Sequence, residues 1–199
     1  MMVRTGILGG TFDPPHWGHW AIAQASLHQE SLDQVFWIPT AQPTYKSRVI
    51  SPLWHRLAMV ERAIAQIPAF KAIDLQTGES PTTEPFYAID LMQLLQQRFP
   101  NRQWAWILGE DAFRRLPDWV AGDRLAACCT WLVAPRSEQP QAFSHPFFHQ
   151  VNWQWLQMPW LPISSTQVRS AIQVGQAIDP FLCPSVVTYI QQFHLYRSC

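Results

Sequence analysis

The sequence contains the stretch Gly9-Gly10-Thr11-Phe12-Asp13-Pro14-Pro15-His16-Trp17-Gly18-His19 close to its start. The apolar pair Ile7 and Leu8 precedes it and predicts a first strand, and residues 20–25 after it predict a first helix. Glycine lets a backbone approach an anion closely, and a helix start offers unpaired N–H groups and a positive dipole end. The stretch therefore predicts a phosphate-binding turn between a strand and a helix.

Two histidines, His16 and His19, lie three residues apart at the predicted helix start. This spacing allows both imidazoles to lie on one side of the first turn, where either can donate a hydrogen bond to a phosphate oxygen. Pro14 and Pro15 fix the backbone φ angle at two successive positions, which holds His16 at a set distance from the glycines. A zinc site is a weaker interpretation, because neither histidine has a nearby cysteine or a glutamate at metalloprotease spacing.

The stretch resembles the signature Gly-Gly-Thr-Phe-Asp-Pro-Pro-His-x-Gly-His of the HxGH nucleotidyltransferases, and within them that of the bacterial nicotinate-nucleotide adenylyltransferases. The resemblance implies a Rossmann-like α/β fold with a doubly wound parallel sheet. It also implies transfer of AMP from ATP to nicotinate mononucleotide, giving deamido-NAD and pyrophosphate in NAD biosynthesis, with Mg²⁺ carried by ATP. The residues of this stretch that the resemblance assigns to ATP are Gly9, Gly10, Thr11, Phe12, His16 and His19.

Length and composition set limits on the class of protein. A chain of 199 residues with 48% hydrophobic residues predicts a single domain, residues 1–199, with a substantial core. A formal net charge of zero argues against a nucleic-acid partner, and no apolar run approaches the length of a membrane span. The four cysteines include the adjacent pair Cys128 and Cys129 but no Cys-x-x-Cys, so we expect free thiols and a cytoplasmic location. A homo-oligomer is left open.

Apolar periodicity predicts strands that alternate with helices along the chain. The predicted strands after the first are 34–39, 69–75, 104–108, 130–134 and 153–158. The predicted longer helices are 52–67, with Ser51 as its cap, 87–99, 164–174 and 185–193. This alternation predicts a parallel sheet, in which ligands bind beyond the carboxyl ends of the strands. The polar segments of interest begin where strands end, so we expect them at one edge. Residues 136–151 predict a surface loop without a defined function.

A second stretch, Ile163-Ser164-Ser165-Thr166-Gln167-Val168-Arg169, follows the last predicted strand. Its serines can cap a helix, and Arg169 lies one turn after Ser165, where its guanidinium can hold phosphate oxygens with two parallel hydrogen bonds. Taken alone, such a pattern is more often a plain helix cap with a solvated arginine. It resembles the second signature of the family, which binds the terminal phosphates of ATP and so implies that Ile163, Ser164, Ser165 and Arg169 contact ATP.

The loop after the second predicted strand carries Lys46. By itself such a lysine is usually only solvated. The family has Pro-Pro-His-Lys here, and its lysine contacts phosphate, whereas this chain has Pro43-Thr44-Tyr45-Lys46. The resemblance therefore implies a mononucleotide contact for Lys46, and a catalytic set of His16, His19, Lys46 and Arg169.

Four further residues match positions that have a role in the family. Gly109 and Asp111 follow a predicted buried strand, and in the family they bind the ribose hydroxyls of ATP; the alternative is that Asp111 only caps the next helix. Trp119 matches a tryptophan that stacks on the pyridine ring, although a core position is a serious alternative among 11 tryptophans. Tyr87 is implied in mononucleotide binding. Its neighbours differ, because the family's Ser-Tyr-Thr is Phe86-Tyr87-Ala88 here, which leaves open nicotinate or nicotinamide mononucleotide.

Other functions remain as alternatives. Within enzymes, these are a nicotinamide-mononucleotide adenylyltransferase or another HxGH transferase that acts on phosphopantetheine or a cytidylyl acceptor. Outside enzymes, they are a nucleotide-binding regulatory protein that has lost turnover, or a metal-binding module built on the seven histidines.

Overall fold

The structure is a computed structural model that describes residues 2–40, 50–75 and 86–197. Its six-stranded sheet has the order β3-β2-β1-β4-β5-β6. The strands are β1 Val3–Gly10, β2 Gln34–Pro39, β3 Phe70–Ala72, β4 Arg102–Gly109, β5 Thr130–Ala134 and β6 Trp153–Trp155. The α-helices of the described residues are α1 Trp17–Gln29, α2 Leu53–Ile64, α3 Ala88–Arg98, α4 Glu110–Arg114, α5 Gly122–Ala126, α6 Ser165–Gln173 and α7 Pro184–Gln192.

The sheet is parallel and flanked by helices. Strand β1 pairs with β4 in a register that sets Val3 opposite Arg102, and β4 continues to β5 with Ala105 opposite Thr130. The order 3-2-1-4-5-6 is that of the doubly wound sheets that bind nucleotides, with the reversal of strand order between β1 and β4. The predicted Rossmann-like α/β fold is therefore confirmed.

Element boundaries differ from the sequence prediction at several points. Gly9 and Gly10 end β1, so the prediction that they form the turn is wrong; the turn begins at Thr11. Pro52, rather than Ser51, occupies the cap position of α2. Strand β3 is shorter than predicted, because it pairs over only three residues of the apolar run. None of the described helices is both long and apolar enough to cross a membrane.

Two compact units can be distinguished in the described chain. The first unit contains residues 2–8, 22–36 and 86–160, and the second unit contains residues 9–21, 37–40, 50–75 and 161–197. The single domain over residues 1–199 stays a prediction.

The core of the first unit is rich in aromatic side chains. Phe113 is fully buried and lies 5.0 Å, between ring centroids, from both Phe143 and Phe148. These two phenylalanines belong to residues 136–151, where a short 3-10 turn spans Pro146–His149. The prediction of a polar surface loop is thus wrong in part, because burial of two large rings anchors the segment.

The core of the second unit forms where α2, α6 and α7 meet. It contains the fully buried Met59, Val168 and Val186, with Leu195 and Tyr196 near the end of the chain packed against it. This core fixes the start of α6, which carries the second signature.

Candidate functional site

The backbone at the end of β1 is open on one side. Among the described residues, no heavy atom would lie within 4 Å of a Cβ atom at Gly9, so these residues leave free space next to it. A Cβ atom at Gly10 would lie 3.1 Å from the Phe12 ring, so the two glycines face different surroundings. The close Phe12 ring accounts for glycine at position 10, whereas no contact within the described ranges accounts for glycine at position 9.

Phe12 holds the turn in place. Its φ angle of +49° is unusual for a residue with a side chain, and its ring is only 1% exposed. The ring packs edge-on against His19 at 5.0 Å and against Trp37 at 5.3 Å between centroids. Such a strained backbone conformation persists where its surroundings fix it, and it is frequent in ligand-binding turns. Thr11 is also buried, and the predicted contacts of both residues with ATP stay predictions.

The two histidines lie together, as their spacing predicts. The rings of His16 and His19 stack with centroids 3.7 Å apart, and the His16 backbone N–H donates to Nδ1 of His19 over 3.2 Å. Because Nδ1 accepts, a neutral His19 carries its proton on Nε2, and this nitrogen is the one that can donate to a ligand oxygen. A Cβ atom at Gly18 would lie 2.9 Å from Nδ1 of His16, so the stacked arrangement requires glycine there.

The start of α6 is bonded to the same turn. Arg169 donates from Nη1 to the Asp13 carbonyl over 2.7 Å, and the Ser165 hydroxyl donates to the Pro14 carbonyl over 2.9 Å. Ser164 is the helix cap, and its hydroxyl accepts from the Gln167 N–H. The structure thus brings the two signature stretches together in the second unit, with the cation of Arg169 at the turn that ends in His16.

Sequence reasoning missed Arg56, which is 1% exposed on α2. Its Nη1 donates to the carbonyls of Thr11 and Thr40, each over 2.8 Å, and its Nε donates to the carbonyl of Ser51 over 2.9 Å. One guanidinium therefore fixes the turn after β1 together with the chain just after β2 and just before α2. The sequence signal that could have identified Arg56 is its position on the apolar face of α2, three residues before the buried Met59.

In the first unit, Asp111 forms an ion pair with Arg136, with Nε and Oδ2 3.1 Å apart. The Arg136 backbone N–H also donates to Glu110 over 3.3 Å, and a Cβ atom at Gly109 would lie 3.1 Å from its Nε. Gly109, not Asp111, holds the cap position of α4, so the alternative role of Asp111 as a helix cap is wrong. The Asp111 side chain is 75% exposed and accessible to a ligand.

The remaining predicted residues have different surroundings. Trp119 is half-buried and makes edge contacts with Trp106 and Trp131 at 6.3 and 6.2 Å between ring centroids. Tyr87 is 41% exposed at the start of α3, where its N–H donates to the Asp90 carboxylate over 2.8 Å. Their roles stay predictions.

Lys46 and Ile163 complete the set of predicted site residues. Lys46 belongs to residues 41–49, which lie outside the described residues, so its mononucleotide and catalytic roles stay predictions. Ile163 is half-buried just before α6, and its carbonyl oxygen would lie 3.6 Å from a Cβ atom at Gly18, which places its backbone beside the histidine-bearing turn.

The donors at the turn suit anions better than metal ions. Within the described ranges, no cluster of three or more His, Cys, Asp or Glu side chains could hold a metal. Imidazole and guanidinium N–H groups instead match the oxygens of phosphate groups. The arrangement can bind and neutralise a polyphosphate that brings its own cation.

Comparison with known proteins agrees with this chemistry. The cytidylyltransferase-like family model matches residues 7–171. A probable nicotinate-nucleotide adenylyltransferase of Synechococcus sp. strain JA-3-3Ab is 40% identical over 97% of this chain and 94% of its own. One of Trichormus variabilis is 36% identical, with 99% of each chain covered.

A likeness of fold extends to more distant proteins. The Plasmodium falciparum nicotinic acid mononucleotide adenylyltransferase in complex with NaAD superimposes with a TM-score of 0.80 at 18% identity, covering 98% of this chain and 97% of its own. On these matches, the chain belongs to the cytidylyltransferase-like family and, within it, to the group of probable nicotinate-nucleotide adenylyltransferases.

Proposed function

We propose that this protein transfers AMP from ATP to nicotinate mononucleotide, giving deamido-NAD and pyrophosphate in NAD biosynthesis. The observation that carries the proposal is the turn after β1, where stacked His16 and His19 follow the open backbone of Gly9 and Arg169 is bonded to the Asp13 carbonyl. The names of the relatives from Synechococcus and Trichormus support the same activity.

The reaction needs positioning and charge stabilisation more than a protein nucleophile. A phosphate oxygen of the mononucleotide, already ionised, attacks the α-phosphorus of ATP while the bond from that phosphorus to the bridging oxygen breaks and pyrophosphate leaves. Holding two substrates in reacting geometry can supply about 7–11 kcal/mol of the barrier. His19 donates from Nε2 to the α-phosphate, where charge develops, and His16 holds a neighbouring phosphate oxygen.

The remaining charge on the phosphates is neutralised by cations of the protein and of the substrate. Arg169 and Lys46 serve this role from the protein, and Mg²⁺ enters as MgATP, held mainly by substrate oxygens and water. The guanidinium of Arg169 donates from Nη1 to the Asp13 carbonyl and from Nη2 to the Thr166 hydroxyl, and it carries five N–H donors in all, so contact with phosphate is compatible with both hydrogen bonds.

Recognition of the two nucleosides falls to other residues. Asp111 accepts hydrogen bonds from ribose hydroxyls of ATP, which its 75% exposure permits. Trp119 and Tyr87 contact the mononucleotide. The free thiols Cys128, Cys129 and Cys183 suit a reducing compartment, and we place the reaction in the cytoplasm.

Purified protein with ATP and Mg²⁺, supplied with nicotinate or nicotinamide mononucleotide in parallel, tests the proposal. Pyrophosphate and dinucleotide should form faster with the nicotinate form. A preference for the nicotinamide form would assign the altered Phe86-Tyr87-Ala88 segment to acceptor choice, and no product with either would refute the proposed reaction.

A pair of histidine variants tests the site. We expect His19→Ala to lower kcat by at least about 10²-fold, the lower range for a lost charge-stabilising donor, while the protein stays folded. His28→Ala is the control, because His28 is exposed on the same helix. Near-normal turnover in a folded His19→Ala protein would refute the proposed mechanism.

A further inference from the structure

Near the end of the chain, Tyr196 reaches the phosphate-site turn. Its hydroxyl donates to Oδ1 of Asp13 over 2.7 Å, although 183 positions separate the two residues. Asp13 is 1% exposed and lies inside the first signature stretch, three residues before His16. A carboxylate buried in this way needs hydrogen-bond donors, and the tyrosine supplies one from outside the two signatures.

The same residue, Asp13, also receives Arg169. The Nη1 of Arg169 donates to the backbone carbonyl of Asp13 over 2.7 Å, while the carboxylate of Asp13 accepts from Tyr196. Asp13 therefore joins the side chain of Tyr196 to the side chain of Arg169 through a single residue. The hydrogen bond from Tyr196 is thus one of the contacts that hold Asp13, the residue on whose carbonyl Arg169 rests.

The backbone at His194 and Tyr196, close to the hydroxyl that bonds Asp13, has an uncommon conformation. His194 and Tyr196 have φ angles of +51° and +65°, a region that residues with side chains seldom adopt. Leu195 packs against the core of the second unit, and its N–H donates to the Ile190 carbonyl over 3.1 Å. Strain of this kind persists only where surrounding contacts fix the conformation.

We propose that Tyr196 is a positioning residue of the adenylyl-transfer site, which acts through Asp13 to set the place of Arg169 and of the turn that carries His16. This inference rests on the proposed function. Burial raises the pKa of the Tyr196 hydroxyl far above its ordinary value, and the nearby Asp13 charge adds to the shift, so the group stays protonated and remains a donor at all working pH values.

A matched pair of variants separates positioning from general stabilisation. Tyr196→Phe removes only the hydroxyl that reaches Asp13. Tyr189→Phe removes a hydroxyl of the same unit that bonds Nδ1 of His55, a residue of α2, over 2.9 Å. We expect Tyr196→Phe to lower kcat/KM for ATP at least tenfold, and Tyr189→Phe to change it less than twofold, at comparable losses of thermal stability.

A double-variant measurement tests the route through Asp13. If Tyr196 acts on Arg169, then Arg169→Lys should cost a smaller factor in the Tyr196→Phe background than in the natural sequence, because residues that share a partner are not additive. The inference would be overturned if the losses in kcat/KM of Arg169→Lys and Tyr196→Phe multiplied fully in the double variant. Equal losses in Tyr196→Phe and Tyr189→Phe would also overturn it.

Binding of MgATP, measured by calorimetry on the same variants, distinguishes failure of this inference from failure of the proposed function. If the natural protein binds MgATP but forms no dinucleotide, the proposed reaction fails, and a loss of MgATP affinity specific to Tyr196→Phe still supports its positioning role. Equal MgATP affinity in both phenylalanine variants contradicts that role, and a natural protein that binds no MgATP contradicts both.

Discussion

Replacement by alanine should have opposite effects on stability at the neighbouring positions Gly9 and Gly10. At Gly9 the new Cβ atom meets no heavy atom of the part of the chain that the structure describes within 4 Å, and the residue does not have a positive φ angle. Replacing such a glycine by alanine stabilises a protein by about 0.4–1 kcal/mol, because the unfolded chain loses freedom, which raises Tm by about 1–4 °C in a protein of this size. We therefore expect Gly9→Ala to be at least as stable as the natural protein.

Activity should change in the other direction at Gly9. A methyl group stands about 1.5 Å from its Cα. In the open space beside β1 it would displace the incoming phosphates, and a misplacement of about 1 Å can lower a rate by about 10²-fold. We expect kcat/KM for ATP to fall by that order in Gly9→Ala.

Gly10→Ala is the matched control for stability. Its Cβ atom would lie 3.1 Å from the Phe12 ring, which is held between His19 and Trp37. Overpacking of this kind costs about 1–3 kcal/mol, or a fall in Tm of about 2–12 °C. Calorimetric melting and initial rates at varied ATP would be measured for both variants. Unchanged kcat/KM for ATP in Gly9→Ala would refute the reasoning, because phosphates would then not approach this glycine.

Three further predictions concern the surrounding structure. Arg56→Lys should lower the free energy of unfolding by about 2–4 kcal/mol in urea titrations, because one ammonium group leaves two or more carbonyls without a donor; an unchanged urea midpoint would contradict this. Burial lowers the pKa of His55, so the unfolded state takes up a proton first, and stability should fall as pH drops below about 6.5; a His55→Gln variant with the same pH slope would exclude this residue as the cause. Burial raises the pKa of the Cys129 thiol, so iodoacetamide at pH 8 should alkylate Cys128 first in the folded protein. Tandem mass spectrometry of the peptide that contains both cysteines would measure this, and equal labelling of the two thiols would argue against burial of Cys129.

The fold could be predicted because its determinants are local. Apolar runs with short polar connections indicate alternating strands and helices, and the handedness of such connections restricts the sheet order. The ends of the strands could be predicted less precisely than their existence, because the pairing of neighbouring strands decides where a strand ends. Gly9 and Gly10 look like turn residues in the sequence but extend β1, and residues 136–151 look polar although Phe143 and Phe148 anchor them.

The sequence predicted the parts of the candidate site that consist of residues close together in the chain. The neighbourhood of His16 and His19 follows from their spacing. The sequence marks Arg56 only as a charged residue on the apolar face of α2, and its role could not be predicted because its partners are backbone carbonyls, one of them 45 positions away. The role of Tyr196 could not be predicted because its partner Asp13 lies 183 positions away. Long-range hydrogen bonds of this type become visible only in three dimensions.

The guanidinium of Arg56 has a consequence for engineering. It binds the carbonyls of Thr40 and Ser51, the residues on either side of 41–50, so both attachment points of that stretch are held by one buried group. Exchanging residues 41–50 for a stretch of another length should therefore leave Thr40 and Ser51 in place, because both stay bonded to a residue outside the exchanged stretch. This makes the position suitable for grafting different segments onto a constant scaffold.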